Sequence, residues 1–281
     1  MNIIKTDLLT KKIWSSWYKN RTRLINGGFM GLFDRFKKIK KSDFQIAFEK
    51  NLKYISNLEK EVSDIESQFV KTENRYYLKV GEIDCPTGKI VVADPLAYLP
   101  NLEFSPVLEK RVPKGKYPVY VSLARSDELD VRICTVKMRI KKTKAVKYEL
   151  ANPTENTASF KASDGIVPGF PVDSGLVSIC DEKVAKEYAL FLENWQKENS
   201  GKNFYGDYFE KYFIDSYNNK PAYQRDGGDF IEWENPITKN KLVMVASGFG
   251  DGLYQAYFGY DKDDKICEII IPLINPDFFG I

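Results

Sequence analysis

The sequence predicts an α+β protein, a largely antiparallel β domain with two inserted helices, preceded by a long amphipathic N-terminal helix. Three observations carry that reading. Strand-like runs fall in two blocks, about residues 75–151 and 230–271, rather than alternating singly with helices. Between the blocks lie two segments with apolar residues at helical intervals. Ahead of both, apolar residues from Phe48 to Phe69 recur by threes and fours, one stripe along one helix.

Taken in order, residues 1–41 are a basic tail. They carry 11 Lys/Arg against 2 Asp/Glu, a net +9, and the remaining chain carries 31 against 37, a net −6. Asn26 to Met30 reads as a translated purine-rich ribosome-binding site, so residues 1–29 are expected to be a start-site artefact or a dispensable extension, with Met30 as the true start. Gly31–Lys41 sets Leu32, Phe33, Phe36 and Ile39 among basic residues. It is read as a solvated leader, with weak contact to an anionic membrane surface as the alternative. Residues 42–72 form the helical arm, capped by Ser42 or Asp43 and continuing to about Phe69, roughly 40 Å at the usual rise. Its stripe is expected to pack on the body, a coiled-coil dimer being the second choice.

Residues 73–281 read as a single β-rich domain. Tyr76–Ile83 and Lys89–Ala93 flank "DCPTG" and read as a hairpin. Lys116–Ala124, Val131–Lys141 and Ala145–Ala151 follow. In the middle run the apolar phase switches between Ile133 and Val136, which predicts a bulge near Cys134. Val172–Cys180 reads as one strand, with Asp181 capping a helix whose inward face is Val184, Tyr188, Phe191, Leu192 and Trp195. Phe204, Tyr208, Tyr212 and Phe213 lie near one face of a second helix. Phe230–Glu234, Leu242–Ala246, Leu253–Tyr260 and Lys265–Ile271 read as an antiparallel meander.

The composition excludes several chemistries. The 281 residues contain no histidine, so Ser-His-Asp, Cys-His and histidine–metal mechanisms are closed to this chain. Cys85, Cys134, Cys180 and Cys267 form no CxxC pair and read as reduced, buried apolar residues. No apolar run approaches the roughly 20 residues of a membrane span, and no signal-peptide pattern opens the chain. The mildly acidic body argues against nucleic acid as a partner. No metal and no cofactor are expected.

Among the motifs, Asp173-Ser174-Gly175 between apolar residues resembles the strand of an aspartic protease. That chemistry needs two facing carboxylates, and no second copy occurs, so a strand-end Asp serving nearby backbone donors is the preferred reading. "SGFGDGLYQAYFGYD" has the glycines of a phosphate loop but lacks the following helix and the Lys-Ser/Thr, leaving a polar tip, Asp251, with Tyr254 and Tyr257 nearby. Asp261–Asp264 and Arg225–Asp229 read as turns. Arg125, Arg132, Lys137 and Arg139 read as lysine protection of an exposed sheet edge.

"GKIVVADPLAY", "VPKGKYPVYVSLA", "VDSGLVSICD" and "SGFGDGLYQAYFGYDKDDKI", in this order, resemble the bacterial domain-of-unknown-function family 4241 over roughly residues 75–275. The resemblance implies a bacterial source and the extent of the domain, and no established activity. The position of Ser174 is frequently Ala in that family, which weakens the protease reading further. Any common site is expected at Asp173 and at Gly250–Tyr254, provided the two segments meet.

The function expected from these features is that of a non-enzymatic cytoplasmic binding protein, immunity-like or scaffolding, with another protein as partner. The alternative is a carboxylate-based hydrolase using Asp173 and Asp251. Asp173, Ser174, Asp251, Tyr254, Tyr257 and Trp233 are the candidate site residues.

Overall fold

The computed structural model describes residues 42–281 apart from 102–104, 128, 155–160, 163–164 and 167–168, and leaves the side chains of 155–168 undescribed. The expectations for Met30 and Gly31–Lys41 therefore lie outside the described residues. Phe44–Ile281 is one compact unit, so the helical arm belongs to the body.

The body is two antiparallel sheets packed face to face. The first has strand order β1-β3-β4-β14-β13-β5, with β1 Arg75–Cys85, β3 Gly115–Ser126, β4 Asp130–Arg139, β5 Lys147–Leu150, β13 Tyr257–Tyr260 and β14 Ile266–Pro272. The second has order β10-β11-β9-β2, with β2 Ile90–Ala93, β9 Leu176–Asp181, β10 Phe230–Glu234 and β11 Lys241–Ala246. Two short ladders complete the set: β6 Lys161–Ala162 with β7 Gly165–Ile166, and β8 Phe170–Val172 with β12 Gly252–Tyr254.

Alternation divides the side chains between faces. Val119 and Val121, Val136, Phe258, Ile269 and Ile271 from one sheet meet Ile90 and Val92, Val177 and Ile179, and Val243 and Val245 from the other to form the main core. The outer face of the four-stranded sheet is covered by α3 (Glu182–Glu198) and α4 (Glu210–Asn219), joined through a π-helical turn at Tyr205–Phe209. Trp233, Tyr188, Phe209 and Phe213 fill that layer. The outer face of the six-stranded sheet carries α2 (Val62–Gln68), whose Ile65 packs on Tyr257 and Ile270.

The predicted bulge is present. Ser122 pairs with Thr135 and Leu123 with Ile133, so Cys134 is the extra residue, and its carbonyl accepts from Leu273 and Ile274. The four cysteines are buried and free, and burial pushes the thiols up, to about 12 for Cys85 and Cys134 and about 11 for Cys267.

Several expectations need correction. The apolar stripe exists, but two helices share it: α1 (Asp43–Ser56) ends before a break at 57–61, and α2 follows. Lys60 lies at the break. Its ammonium folds back to donate to the carbonyls of Tyr54 (2.9 Å) and Asn57, filling the helix C-terminus in place of a further turn. "DCPTG" is no hairpin, since β1 pairs with β3 and β2 with β9, and the chain steps between sheets there. A turn signal fixes a change of direction, not a pairing partner.

Val172–Cys180 is likewise two strands in different ladders, bent at Asp173–Gly175, and the C-terminal meander is divided between the sheets after Ala246. β4 is central rather than an edge. Lys137 is buried between Glu66 and Glu268 over the Phe69 ring, so it protects no edge.

Lys60 is 7% exposed and lies between the Tyr54 and Tyr257 rings, 4.8 and 5.1 Å from their centroids. Burial lowers its pKa to about 8, against the opposing pull of Asp64. Between about pH 8 and its unfolded value, the unfolded chain holds a proton that the native chain has lost, so this residue's contribution to stability rises with pH. Stability measured against a Lys60→Met variant should be flat below about pH 7 and shift in favour of the wild type as pH climbs to about 10. Chemical denaturation across that range checks it.

Candidate functional site

Along one end of the four-stranded sheet, the end of β2, the start of β9 and the end of β11 come together by antiparallel pairing. Asp94 follows β2 and is fully buried. A buried carboxylate must have its lone pairs filled. Its Oδ1 accepts from the amides of Leu96 and Ala97 (both 2.9 Å) and from the Ser174 hydroxyl (2.6 Å), and its Oδ2 accepts from the amides of Asp173 (2.9 Å) and Ser174 (2.6 Å). Asp94 thus ties the turn after β2 to the turn between β8 and β9. That second turn closes through Gly175, whose φ of 71° lies where a side chain would be strained.

Asp173 and Asp251 meet by register. The β8–β12 ladder pairs Val172 with Gly252, which puts the next residue of one strand beside the preceding residue of the other. Both are exposed. Tyr98 donates its hydroxyl to Asp173 Oδ2. Asp251 is held above the usual carboxylate range by partial burial first, then by the negative charges of Asp173 and Asp94, with the Gly175 amide opposing. The ion pairs among the described residues lie elsewhere, and none includes Asp94, Asp173 or Asp251.

Of the residues singled out from sequence, Asp173, Ser174, Asp251 and Tyr254 fall in this corner. Tyr254 is 3% exposed, and its hydroxyl donates to the carbonyls of Ser247 (2.9 Å) and Gly250 (2.8 Å), fixing the Asp251 loop from beneath. Ser174 locks a turn: its hydroxyl proton is engaged by a carboxylate that also accepts from four backbone amides. Tyr257 and Trp233 lie elsewhere. Tyr257 is under α2, donating to the Asn57 carbonyl, and Trp233 is in the aromatic layer beneath α3, its indole donating to the Tyr208 hydroxyl.

Sequence reasoning missed Asp94 and Tyr98. The available signal was the Asp-Pro after the apolar run in "GKIVVADPLAY", a side-chain-capped turn at a strand end. Among the described residues no group of three or more Asp, Glu or Cys is arranged to hold a metal ion.

Asp94→Asn turns an oxygen facing amide donors into a donor itself. It should cost about 3 kcal/mol in urea unfolding, the scale of leaving buried donors unmatched. Asp251→Asn should have the opposite effect. A raised native pKa means that ionisation weakens the fold as pH passes through it, so this variant should be more stable than wild type at pH 7, with the advantage gone by pH 3. Paired thermal melts at the two pH values measure the sign.

No curated protein and no solved structure matches the chain. A family model described as protein of unknown function (DUF4241) matches residues 83–271, more than half of the chain and the span that contains Asp94, Asp173 and Asp251. The chain belongs to the DUF4241 family.

Proposed function

We propose that the protein acts by binding rather than by catalysis, as a bacterial cytoplasmic interaction protein whose contact point is the acidic corner, and that it takes a lysine or arginine side chain of a partner protein. The observation that carries this is the adjacency of Asp173 and Asp251 across the β8–β12 ladder with the Asp94 charge buried behind them. Like charges held together on fixed turns repel, and an incoming cation relieves that repulsion without reorganising the site. The net charge of −6 on residues 42–281 favours basic partners in the same sense, as would suit an immunity-like role. Trp233 and Tyr257, the aromatic anchors singled out from sequence, give no support, because each is only 1% exposed. The affinity is therefore expected to be electrostatic and salt-sensitive. No helix among the described residues is long and apolar enough to cross a membrane.

The test is affinity capture from the native cytosol with wild type and with Asp173→Asn/Asp251→Asn. A basic protein held by the wild type, lost with the double variant and released above about 0.3 M salt is the expected outcome. A partner retained equally by both proteins, or none retained by either, refutes it.

One observation favours the alternative hydrolase. A carboxyl whose ionisation is opposed by a second carboxylate beside it is the arrangement that lets a pair share a proton. Under that reading, turnover of a hydrolase substrate would peak at acidic pH and vanish in Asp251→Asn.

A further inference from the structure

The loop that carries Asp251 leaves β11 at Ser247 and has left-handed glycines on either side of Phe249, Gly248 at φ 71° and Gly250 at φ 97°. The two differ in what surrounds them. A Cβ at Gly248 would lie 3.0 Å from Ile274 Cγ1, so the chain there is pressed against the segment that follows β14, while Gly250 has open space. Between them the half-buried Phe249 ring reaches the N-terminal helix and the C-terminal 3-10 turn, Pro276–Phe279. Its centroid is 5.1 Å from Phe48, 6.3 Å from Phe44 and 5.5 Å from Phe279.

The socket for that ring is fixed from behind by Asn51. This fully buried α1 residue donates to the Leu273 carbonyl (3.2 Å) and accepts from the Asn275 amide (2.8 Å). α1 and the chain end are thereby one surface, and the Asp251 loop rests on it through the Phe249 ring and, at Gly248, through backbone set close against Ile274 and Leu273. The opposite side of the loop is held by Tyr254 and by the Ser247 hydroxyl donating to the Gly250 carbonyl (2.8 Å).

We propose that Phe48 and Phe249 are positioning residues for the acidic corner: their contact seats the Asp251 loop against Asp173, so the docking of α1 sets how strongly the corner takes a cation. This rests on the binding role proposed above. The charged groups facing Asp251 are Asp173, from the turn after β8, and Asp94, from the turn after β2, with the Gly175 amide as the opposing dipole. Phe48 touches none of them. If Phe48 is truncated, the loop loses its seat, Asp251 becomes better hydrated and moves away from Asp173, and both causes of its elevated ionisation midpoint weaken.

The experiment is a carbon-detected NMR titration of the Asp251 carboxyl in the full chain, in wild type, Phe48→Ala, Phe48→Leu and, as a more deeply buried truncation on the outer face of the six-stranded sheet, Ile65→Ala. Expected is a fall of about half a pH unit or more in Phe48→Ala, recovery in Phe48→Leu, and no movement in Ile65→Ala. An unchanged midpoint in Phe48→Ala, or an equal fall in Ile65→Ala, overturns the proposal. Should Phe48→Ala not fold, Phe249→Leu is judged by the same criterion.

A tetralysine peptide titrated into the same samples separates the two readings. Binding weakened several-fold in Phe48→Ala supports both. No binding to wild type refutes the cation-binding role, and with it the clause on cation affinity, while the carboxyl midpoint still decides the positioning role.

Discussion

The fold depends on two carboxylates that are buried at opposite ends of one four-residue strand. β2 is too short to secure itself by its own ladder with β9. At its start, Asp181 accepts from the amides of Thr87 (2.9 Å) and Gly88 (3.0 Å) and from the Thr87 hydroxyl (2.8 Å), while its other oxygen caps α3 at Lys183. At its end, Asp94 does the same for the turns at 94–99 and 173–175. An ionised group without such donors is too costly to bury, and a turn whose amides lack an acceptor is nearly as unfavourable. Each carboxylate therefore requires its turn and each turn its carboxylate. Between them they determine where the chain passes from one sheet to the other.

The two ends have different consequences. Asp181 is enclosed by a crossover and a helix start, and its role ends with architecture. Asp94 is covered by a turn whose next side chain, Asp173, is exposed and beside Asp251, so the negative charge used to build the turn also sets the electrostatics of the surface above it. Without histidine, a site here has carboxylates, tyrosine hydroxyls and amides to work with. Many of the described aromatic residues are spent on packing: Trp233 with Tyr188 and Phe191 beneath α3, and Phe249 with Phe48 and Phe279 beneath the corner.

Much was legible in the residues alone because it is local. Hydrophobic period two against period three to four separated strands from helices. The phase switch after Ile133 located the bulge at Cys134, and Asp181 announced a helix cap, since each is decided within a few residues of itself. The proximity of Asp173 and Asp251 stood only as a condition on the family resemblance, and it took the pairing of Val172 with Gly252 to meet it.

What the sequence determined by itself was the class of structure, the helical or strand character of its segments and the chemistries closed to a histidine-free chain, because propensity, capping and composition act over short range. Partner choice between strands, the division of "DCPTG" and of the C-terminal strands between two sheets, the folding back of Lys60, and the burial of Asp94 beneath Ser174 were decided by tertiary structure. Those depend on which apolar faces are free to close on one another and which buried polar groups can find donors, and both conditions are set by residues far apart in the chain.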